Sequence, residues 1–246
     1  MENKFLKDLV SDYMDKPLKN GEKLVIVGAG EFAEIAYEYF TYDSPYEIVA
    51  FAAEKSYIKN DKLYDLPVVA FEEVHQMYPV TEYKAFVAVP YTNFNRLRTR
   101  LYHETKNKGY ELVTYISSRA FVWRNVTLGE NCFIFENNVL QHHVSVGNNV
   151  ILWSGNHIGH RSVIKDNCFI SSHVVIAGNC EIGENCFIGI NSTINDEIKV
   201  GKDCFISSGA LVIKNTLDGK IYKGSPAKAS LMDAYRYFNI ESEHVL

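Results

Sequence analysis

Residues 168–191 read Cys-Phe-Ile-Ser-Ser-His, Val-Val-Ile-Ala-Gly-Asn, Cys-Glu-Ile-Gly-Glu-Asn, Cys-Phe-Ile-Gly-Ile-Asn. Isoleucine holds the third place of each hexad, and the register runs far beyond this stretch. From Val122, Leu128, Ile134 and Leu140 through to Ile206 and Val212, that place is Val, Ile or Leu in sixteen consecutive hexads without an insertion. The first place is usually small or β-branched, as in Ala120, Ser162 and Val174. The fourth is often glycine, at 129, 147, 159, 183, 189 and 201. A period of six is neither that of an amphipathic helix nor that of a simple alternating strand. It is the signature of a β-solenoid. Each hexad gives a short strand whose first and third residues point inward and whose second points out. A turn follows, where glycine is expected to take a positive φ. Three hexads close one triangular coil, so residues 18 apart stack at about 4.8 Å.

Working outward, the five cysteines (132, 168, 180, 186 and 204) all fall on the inward first place. A small hydrophobe filling the solenoid interior explains them better than a metal or redox centre. Their odd number also argues against a disulfide framework. On the outward second place, Phe133, Ile151, Phe169, Phe187 and Phe205 form an apolar stripe at steps of 18. A stripe of that size marks an interface. The expectation is burial in a subunit contact or under residues 231–245. The next face carries Val139, His157, Val175 and Thr193, and the third is mostly polar, with Thr127, Ser145, Glu181 and Lys199.

Ahead of the repeat, Lys-Leu-Val-Ile-Val at 23–27 reads as a buried strand, followed by Gly28-Ala29-Gly30-Glu31-Phe32-Ala33 and a helical run from Glu34 to Phe40. This is a Gly-x-Gly-x-x-Ala turn in strand–turn–helix context, the form that binds a nucleotide phosphate. Further strands are expected at 47–53, 85–89 and 111–116, and a helix from Asn93 to Lys108. Glu54 stands where a ribose-binding acid belongs. With roughly 95 residues before the solenoid, there is room for one mononucleotide-binding half and not for the double half that holds NAD. Two readings remain open for the turn: it binds a nucleotide attached to something else, or it contacts no ligand. Residues 1–20 show helical spacing at Phe5, Leu6, Leu9, Val10, Tyr13 and Met14. The expected organisation is an N-terminal extension at 1–20, an α/β domain at 21–117, the solenoid at 118–217 and a loop and tail at 218–246.

The chain's 246 residues are 47% hydrophobic with net charge −5. That mild acidity, with no basic cluster among aromatics, gives no support for nucleic-acid binding. No run of eighteen apolar residues exists and no apolar leader follows Met1, so a cytoplasmic protein without a membrane partner is expected.

Chemistry is sought among the histidines. His142 and His160 are 18 apart, both in the fifth place of their hexads, and should stack at one corner outside the core. Two stacked imidazoles resist protonation, which keeps a neutral base available near pH 7. The alternative for outward histidines beside a turn is solvated surface. No metal is expected: zinc-holding β-helix trimers use two histidines five residues apart, a spacing that no pair here shows. No Gly-x-Ser-x-Gly elbow or exposed cysteine offers a nucleophile.

Three motifs then stand in order around the hexads: Val-Ile-Val-Gly-Ala-Gly at 25–30, Gly-Asn-His-Ile-Gly-His at 155–160 and Gly-Ser-Pro-Ala-Lys at 224–228. Together the chain resembles the bacterial sugar acyltransferases, over roughly residues 23–230. In these a Rossmann-like mononucleotide-binding domain precedes a left-handed parallel β-helix. They include sialic acid O-acetyltransferases and N-acetyltransferases acting on nucleotide-linked 4-amino sugars. The resemblance implies acyl transfer from acyl-CoA, chiefly acetyl-CoA, to an amine or hydroxyl of a nucleotide-activated sugar. It implies His160 as general base, the Gly178 N–H against the oxyanion, and His142 supporting the acceptor. Gly28, Gly30, Glu54 and Asn93 would receive the sugar nucleotide, and Gly178, Gly224, Pro226 and Lys228 the coenzyme. The active site would lie between subunits of a homotrimer. Two positions depart from the family's pattern: Arg161 follows His160 where relatives often carry an acid, and Phe169 stands where some carry a second histidine. A non-catalytic sugar-nucleotide-binding scaffold is the rival reading, because a cation beside the imidazole weakens it as a base.

Overall fold

A computed structural model describes residues 21–225 together with Met232 and Tyr237. The helix expected within residues 1–20, the coenzyme residues Pro226 and Lys228, and most of segment 231–245 lie outside the described residues.

The hydrophobic runs before the repeat build a five-stranded sheet from β1 (Lys23–Val27), β2 (Glu47–Ala53), β3 (Lys62–Leu63), β4 (Leu66–Ala70) and β5 (Tyr83–Val87). Its order is β3-β4-β2-β1-β5. All neighbours run parallel except the β3–β4 hairpin, which the sequence reading did not anticipate. Helix α1 (Glu31–Asp43) links β1 to β2, the short α2 (Val74–Met77) follows β4, and α3 (Arg96–Asn107) follows β5. Three results differ from expectation. The third predicted strand begins two residues earlier, at Tyr83. Asn93, Phe94 and Asn95 have φ of 50°, 53° and 67°, so a left-handed turn precedes α3 in place of its first helical residues. Finally, the segment expected as a strand over 111–116 touches β5 by one bridge, Ala85 to Leu112, and then lays Tyr115–Ile116 onto the solenoid.

From there every hexad becomes a two-residue strand at its second and third places, from Phe121–Val122 to Leu211–Val212. Three parallel sheets result, with partners 18 residues apart, such as Ile151 on Phe169 and His157 on Val175. The third-place Val, Ile and Leu residues fill the prism. The turns work differently from the expectation. Fourth-place glycines do not supply the positive φ. The sixth place does, at Asn131, Asn137, Asn149, Asn167, Asn179, Asn185 and Asn191, all with φ of 54–63°. Asparagine is among the few non-glycine residues enriched in this conformation. Glycine is required at the fourth place by crowding: a Cβ on Gly159 would lie 2.5 Å from the Ala177 carbonyl carbon of the next coil.

The cysteines are buried free thiols, as expected, and each has a further task. Cys132, Cys168 and Cys186 donate S–H to the carbonyls of Gly147, Gly183 and Gly201, each at 3.1 Å. Ser162 and Ser192 do the same for Ala177 and Ser207, at 2.8 and 3.0 Å. Where the first place is cysteine or serine, its side chain thus satisfies a turn carbonyl fifteen residues on. Burial pushes the Cys132 thiol up to about 12, so it stays protonated.

The phenylalanine stripe is covered, and the cover corrects the sequence reading. At Phe133, Ile151 and Phe169 the cover is the chain's own α/β layer, where a subunit contact or the tail was expected; Phe187 and Phe205 are half-buried, and most of the tail lies outside the described residues. Phe32, Tyr39 and Phe40 of α1 meet the Phe133 ring at 5.6, 5.8 and 5.9 Å. Tyr91 reaches Phe169 and Phe187, both at 5.0 Å. Phe133, Ile151 and Phe169 are buried to 2% exposure or less, each stabilising the docking by about 2 kcal/mol. A sequence stripe shows that something covers it, not what. Docking is completed along one corner of the prism. There the fully buried Arg98 guanidinium donates to the carbonyls of Pro90, Asn149, Asn167 and Cys168 at 2.7–3.3 Å.

Candidate active site

The fifth hexad place between the His157 face and the Val163 face stacks Arg124, His142, His160, Gly178, Asp196 and Lys214 in one column. The α/β layer covers neither flanking face, so among the described residues this corner is open while its backbone is held by the coils above and below. His142 and His160 stack as the spacing predicts, with ring centroids 5.5 Å apart and planes inclined by 12°. His160 is half-buried and His142 exposed. The His160 backbone N–H donates to Gln141 Oε1 at 2.9 Å, fixing the turn that carries the imidazole.

Gly178 lies beneath the same ring. A Cβ there would come within 2.4–2.9 Å of three His160 ring atoms, so glycine is the residue that leaves room for the imidazole. The expectation that its amide is open needs correcting, however: the Gly178 N–H donates to Asp196 Oδ1 at 3.0 Å. Asp196 was missed by the sequence reading although it is legible by the same step of 18. Arg161 takes the left-handed sixth place with φ 58°, donates its N–H to the His142 carbonyl at 3.0 Å, and is exposed. It fills the turn position that asparagine fills in most coils.

The second expected constellation surrounds the end of β1. Gly28 has φ 134°, and a Cβ on it would sit 2.5 Å from the Ala88 carbonyl oxygen. Gly30 is the N-cap of α1, with open space where a Cβ would point. Three hollows meet at this loop. One of 600 Å³ is walled by Gly28, Gly30, Pro90, Tyr91, Trp153 and Phe169. A second, of 200 Å³, is apolar apart from Glu54 and Tyr57 and is closed by Phe71, Leu97 and Leu101. The third, of 320 Å³, has Lys59 and Lys62 at its edge. The two lysines and Tyr91 carried no sequence signal, because they reach the loop through the fold and not through any repeat; Trp153, at a fourth hexad place, reaches it where the prism meets the α/β layer.

Other expected residues fall differently. The Glu54 carboxylate is paired with Arg100 at 3.0 Å, which also holds Glu104 at 3.0 Å. Asn93 is exposed and is not in the wall of the large cleft, which reaches Thr92. Phe169 lies on the covered face as a cleft wall, away from the His160 corner. Gly224 packs on the last coil, where a Cβ would meet the Ser208 carbonyl oxygen at 2.4 Å. Within one chain, the Gly28–Gly30 cleft and His160 are not brought together. Trp153 follows the strand at Ile151–Leu152 and His160 the strand at His157–Ile158, so a full prism face separates them.

Known proteins bear on this geometry as follows. Residues 125–160, 143–178, 161–196 and 179–214 match the family described as bacterial transferase hexapeptide (six repeats). No curated protein sequence matches the chain significantly. Among solved structures, a histidine variant of perosamine N-acetyltransferase from Caulobacter crescentus, in complex with CoA and GDP-perosamine, is 23% identical with a TM-score of 0.74, covering 86% of this chain and 98% of that one. The acetyltransferase domain of PglB from Neisseria gonorrhoeae FA1090 is 24% identical with a TM-score of 0.73, covering 84% and 98%. WeeI from Acinetobacter baumannii AYE is 19% identical with a TM-score of 0.71, covering 84% and 99%. The resemblance drawn from the three motifs therefore holds at the level of the repeat and the fold. Among the described residues no helix is long and apolar enough to cross a membrane.

Proposed function

We propose that this chain, whose residues 125–214 carry the bacterial transferase hexapeptide repeat, is an acyl-CoA-dependent acyltransferase acting on a nucleotide-linked sugar. Residues 21–117 form its Rossmann-like sugar-nucleotide domain, residues 118–217 its left-handed β-helix, and acetyl-CoA is the donor. Fold-mates that hold CoA with GDP-perosamine, or acetyl coenzyme A, support this reading. The observation that carries it is the His142–His160 stack seated on Gly178 at an open corner.

The sugar nucleotide would place its diphosphate beside Gly28 and Gly30, at the N-terminus of α1, where the N–H groups of the first helical turn and the helix dipole favour an anion. Its base and ribose would enter the hollow with Glu54, and its sugar the cleft between Pro90 and Trp153. His160 then takes the proton from the sugar amine or hydroxyl as that atom attacks the thioester carbonyl. The oxyanion forms against the Gly178 N–H. As the carbon–sulfur bond breaks, the imidazolium returns the proton to the leaving thiolate. His142 stands beside the acceptor, and Gly224 meets the coenzyme, with the expected Pro226 and Lys228 outside the described residues.

Because one prism face separates the cleft from His160, the reading joins the cleft of one subunit to the His160 corner of another in a homotrimer. The face between them, with Phe121, Val175 and Leu211 at 52%, 41% and 66% exposure, is the apolar surface that the α/β layer leaves uncovered.

The test is thiol release from acetyl-CoA with a panel of nucleotide amino and hydroxy sugars. His160→Ala should lower turnover by about 10²–10⁴-fold. Full turnover in the variant would remove His160 from the mechanism, and no release with any acceptor would remove the activity. The bond from Gly178 N–H to Asp196 favours a second reading, a sugar-nucleotide-binding scaffold without catalysis. Thermal stabilisation of the wild-type protein by nucleotide sugars but by no acyl-CoA would select it.

A further inference from the structure

The Gly178 N–H has two claimants. We infer that the Asp196 carboxylate and the thioester carbonyl of the acyl donor compete for this one amide. Asp196 is thus a positioning residue that sets how strongly the protein distinguishes an acylated coenzyme A from the free thiol. The inference rests on the acyl-transfer reading and adds to it a residue that lies outside the three motifs.

The solenoid shows what an acidic or amide side chain does at this place. At another corner the fifth-place amides point along the prism axis and are capped from the next coil. Glu130 N–H donates to Asn148 Oδ1 at 3.0 Å, Asn148 N–H to Asp166 Oδ1 at 2.7 Å, and Lys202 N–H to Asp218 Oδ1 at 3.0 Å. There the caps serve the turn alone. Gly178 differs in its other neighbour, because the His160 imidazole lies directly against its Cα. The capped amide is therefore also a donor beside the candidate base, where charge on a thioester oxygen would develop.

Two features make the cap exchangeable. Asp196 is exposed, so its side chain can turn into solvent without leaving a cavity. The bond it gives up is charge-assisted and stronger than the amide-to-carbonyl bond that replaces it. Binding an acyl donor therefore includes the cost of displacing the carboxylate. Free coenzyme A has no carbonyl at that point and leaves the cap in place. Asp196 thereby weakens the substrate's hold relative to the product's, a bias that no purely structural cap would produce.

The experiment is calorimetric titration of the full-length protein with acetyl-CoA and, separately, with free CoA. Wild type is compared with Asp196→Ala and Asp196→Asn. In Asp196→Ala the preference for acetyl-CoA over CoA should rise about tenfold, the worth of one hydrogen bond to a charged group, with CoA affinity unchanged. Asp196→Asn keeps a neutral cap of the kind Asn148 provides and should give a smaller rise, in a protein whose turn is intact. A preference that is unchanged or lowered in both variants, with wild type binding both ligands, makes Asp196 a turn cap and leaves acyl transfer standing. Wild-type protein that binds neither ligand overturns the inference together with the acyl-transfer reading.

Discussion

Two corners of the prism share one backbone and serve opposite ends. Along the first, Asn131, Asn149 and Asn167 form a ladder, each Nδ2 donating to the next Oδ1 at 2.9 and 2.8 Å. The α/β layer clamps onto that ladder: Val87 N–H donates to Asn131 Oδ1 at 2.7 Å, and Asn95 Nδ2 donates to the carbonyls of Asn185 and Cys186. Along the second, the column His142, His160, Gly178, Asp196 meets no part of the α/β layer. The turn geometry is the same at both, with left-handed sixth-place residues at 131, 149, 167, 185 and 203 along the first and at 143, 161, 179 and 197 along the second. The repeat sets where the backbone goes, and the side chains in one column decide whether a corner is glued or left to bind.

The largest way to break this comparison is at the glued corner. The Arg98 guanidinium is held by four backbone carbonyls, and burial pushes its pKa down to about 10. It remains charged at neutral pH, and its hydrogen bonds must offset its desolvation. Arg98→Ala would leave those carbonyls without their donor and open a void between the layers. The expected loss is about 3–5 kcal/mol. At a few degrees per kcal/mol for a chain of this size, the melting temperature should fall by about 10 °C in a differential scan. A shift of less than 2 °C would show that the stripe alone holds the layers together.

That clamp was invisible in the sequence. An arginine in a helix reads as solvated surface, and nothing local reveals that it faces the turn carbonyls of two successive coils. The inward face of the solenoid strands, by contrast, was legible, because a third-place Val, Ile or Leu must point inward in every coil. The sixth-place asparagines were present in the sequence at Asn131, Asn137 and Asn149, but the fourth-place glycines drew the assignment of positive φ. Glycine answers both to crowding and to conformation, and the hexad pattern does not separate the two. The His142–His160 stack and the Gly178 position followed from counting by 18. Asp196 could have followed in the same way. Trp153, Tyr91 and the cover on the phenylalanine stripe could not, since they depend on how two differently built layers meet.

At the open corner the sharper test is Gly178→Ala. The added methyl meets the ring of His160, a side chain with room to swing, and not the backbone that a Cβ on Gly159 would strike. Stability should therefore change little while the imidazole is displaced from the Gly178 N–H. A base moved by even 1 Å loses about 10²-fold in rate. Turnover should fall by that amount with the melting temperature held within a few degrees. Equal losses of stability and activity would mean that Gly178 is a packing residue like Gly159.

The smallest effect asks whether the two corners share an internal support. Inside the glued corner, Cys186 Sγ donates to the Gly201 carbonyl at 3.1 Å; inside the open one, Ser162 Oγ donates to the Ala177 carbonyl at 2.8 Å. If the first place is chosen for a small donor, thiol and hydroxyl should be interchangeable there. Cys186→Ser keeps the donor and should cost less than about 1 kcal/mol in chemical denaturation. Cys186→Ala leaves the buried carbonyl without one and should cost about 1–3 kcal/mol. The reverse order, with alanine better tolerated than serine, would mean that the cysteines serve as apolar filler. The open corner would then owe its shape to Ser162 by a device that the glued corner lacks.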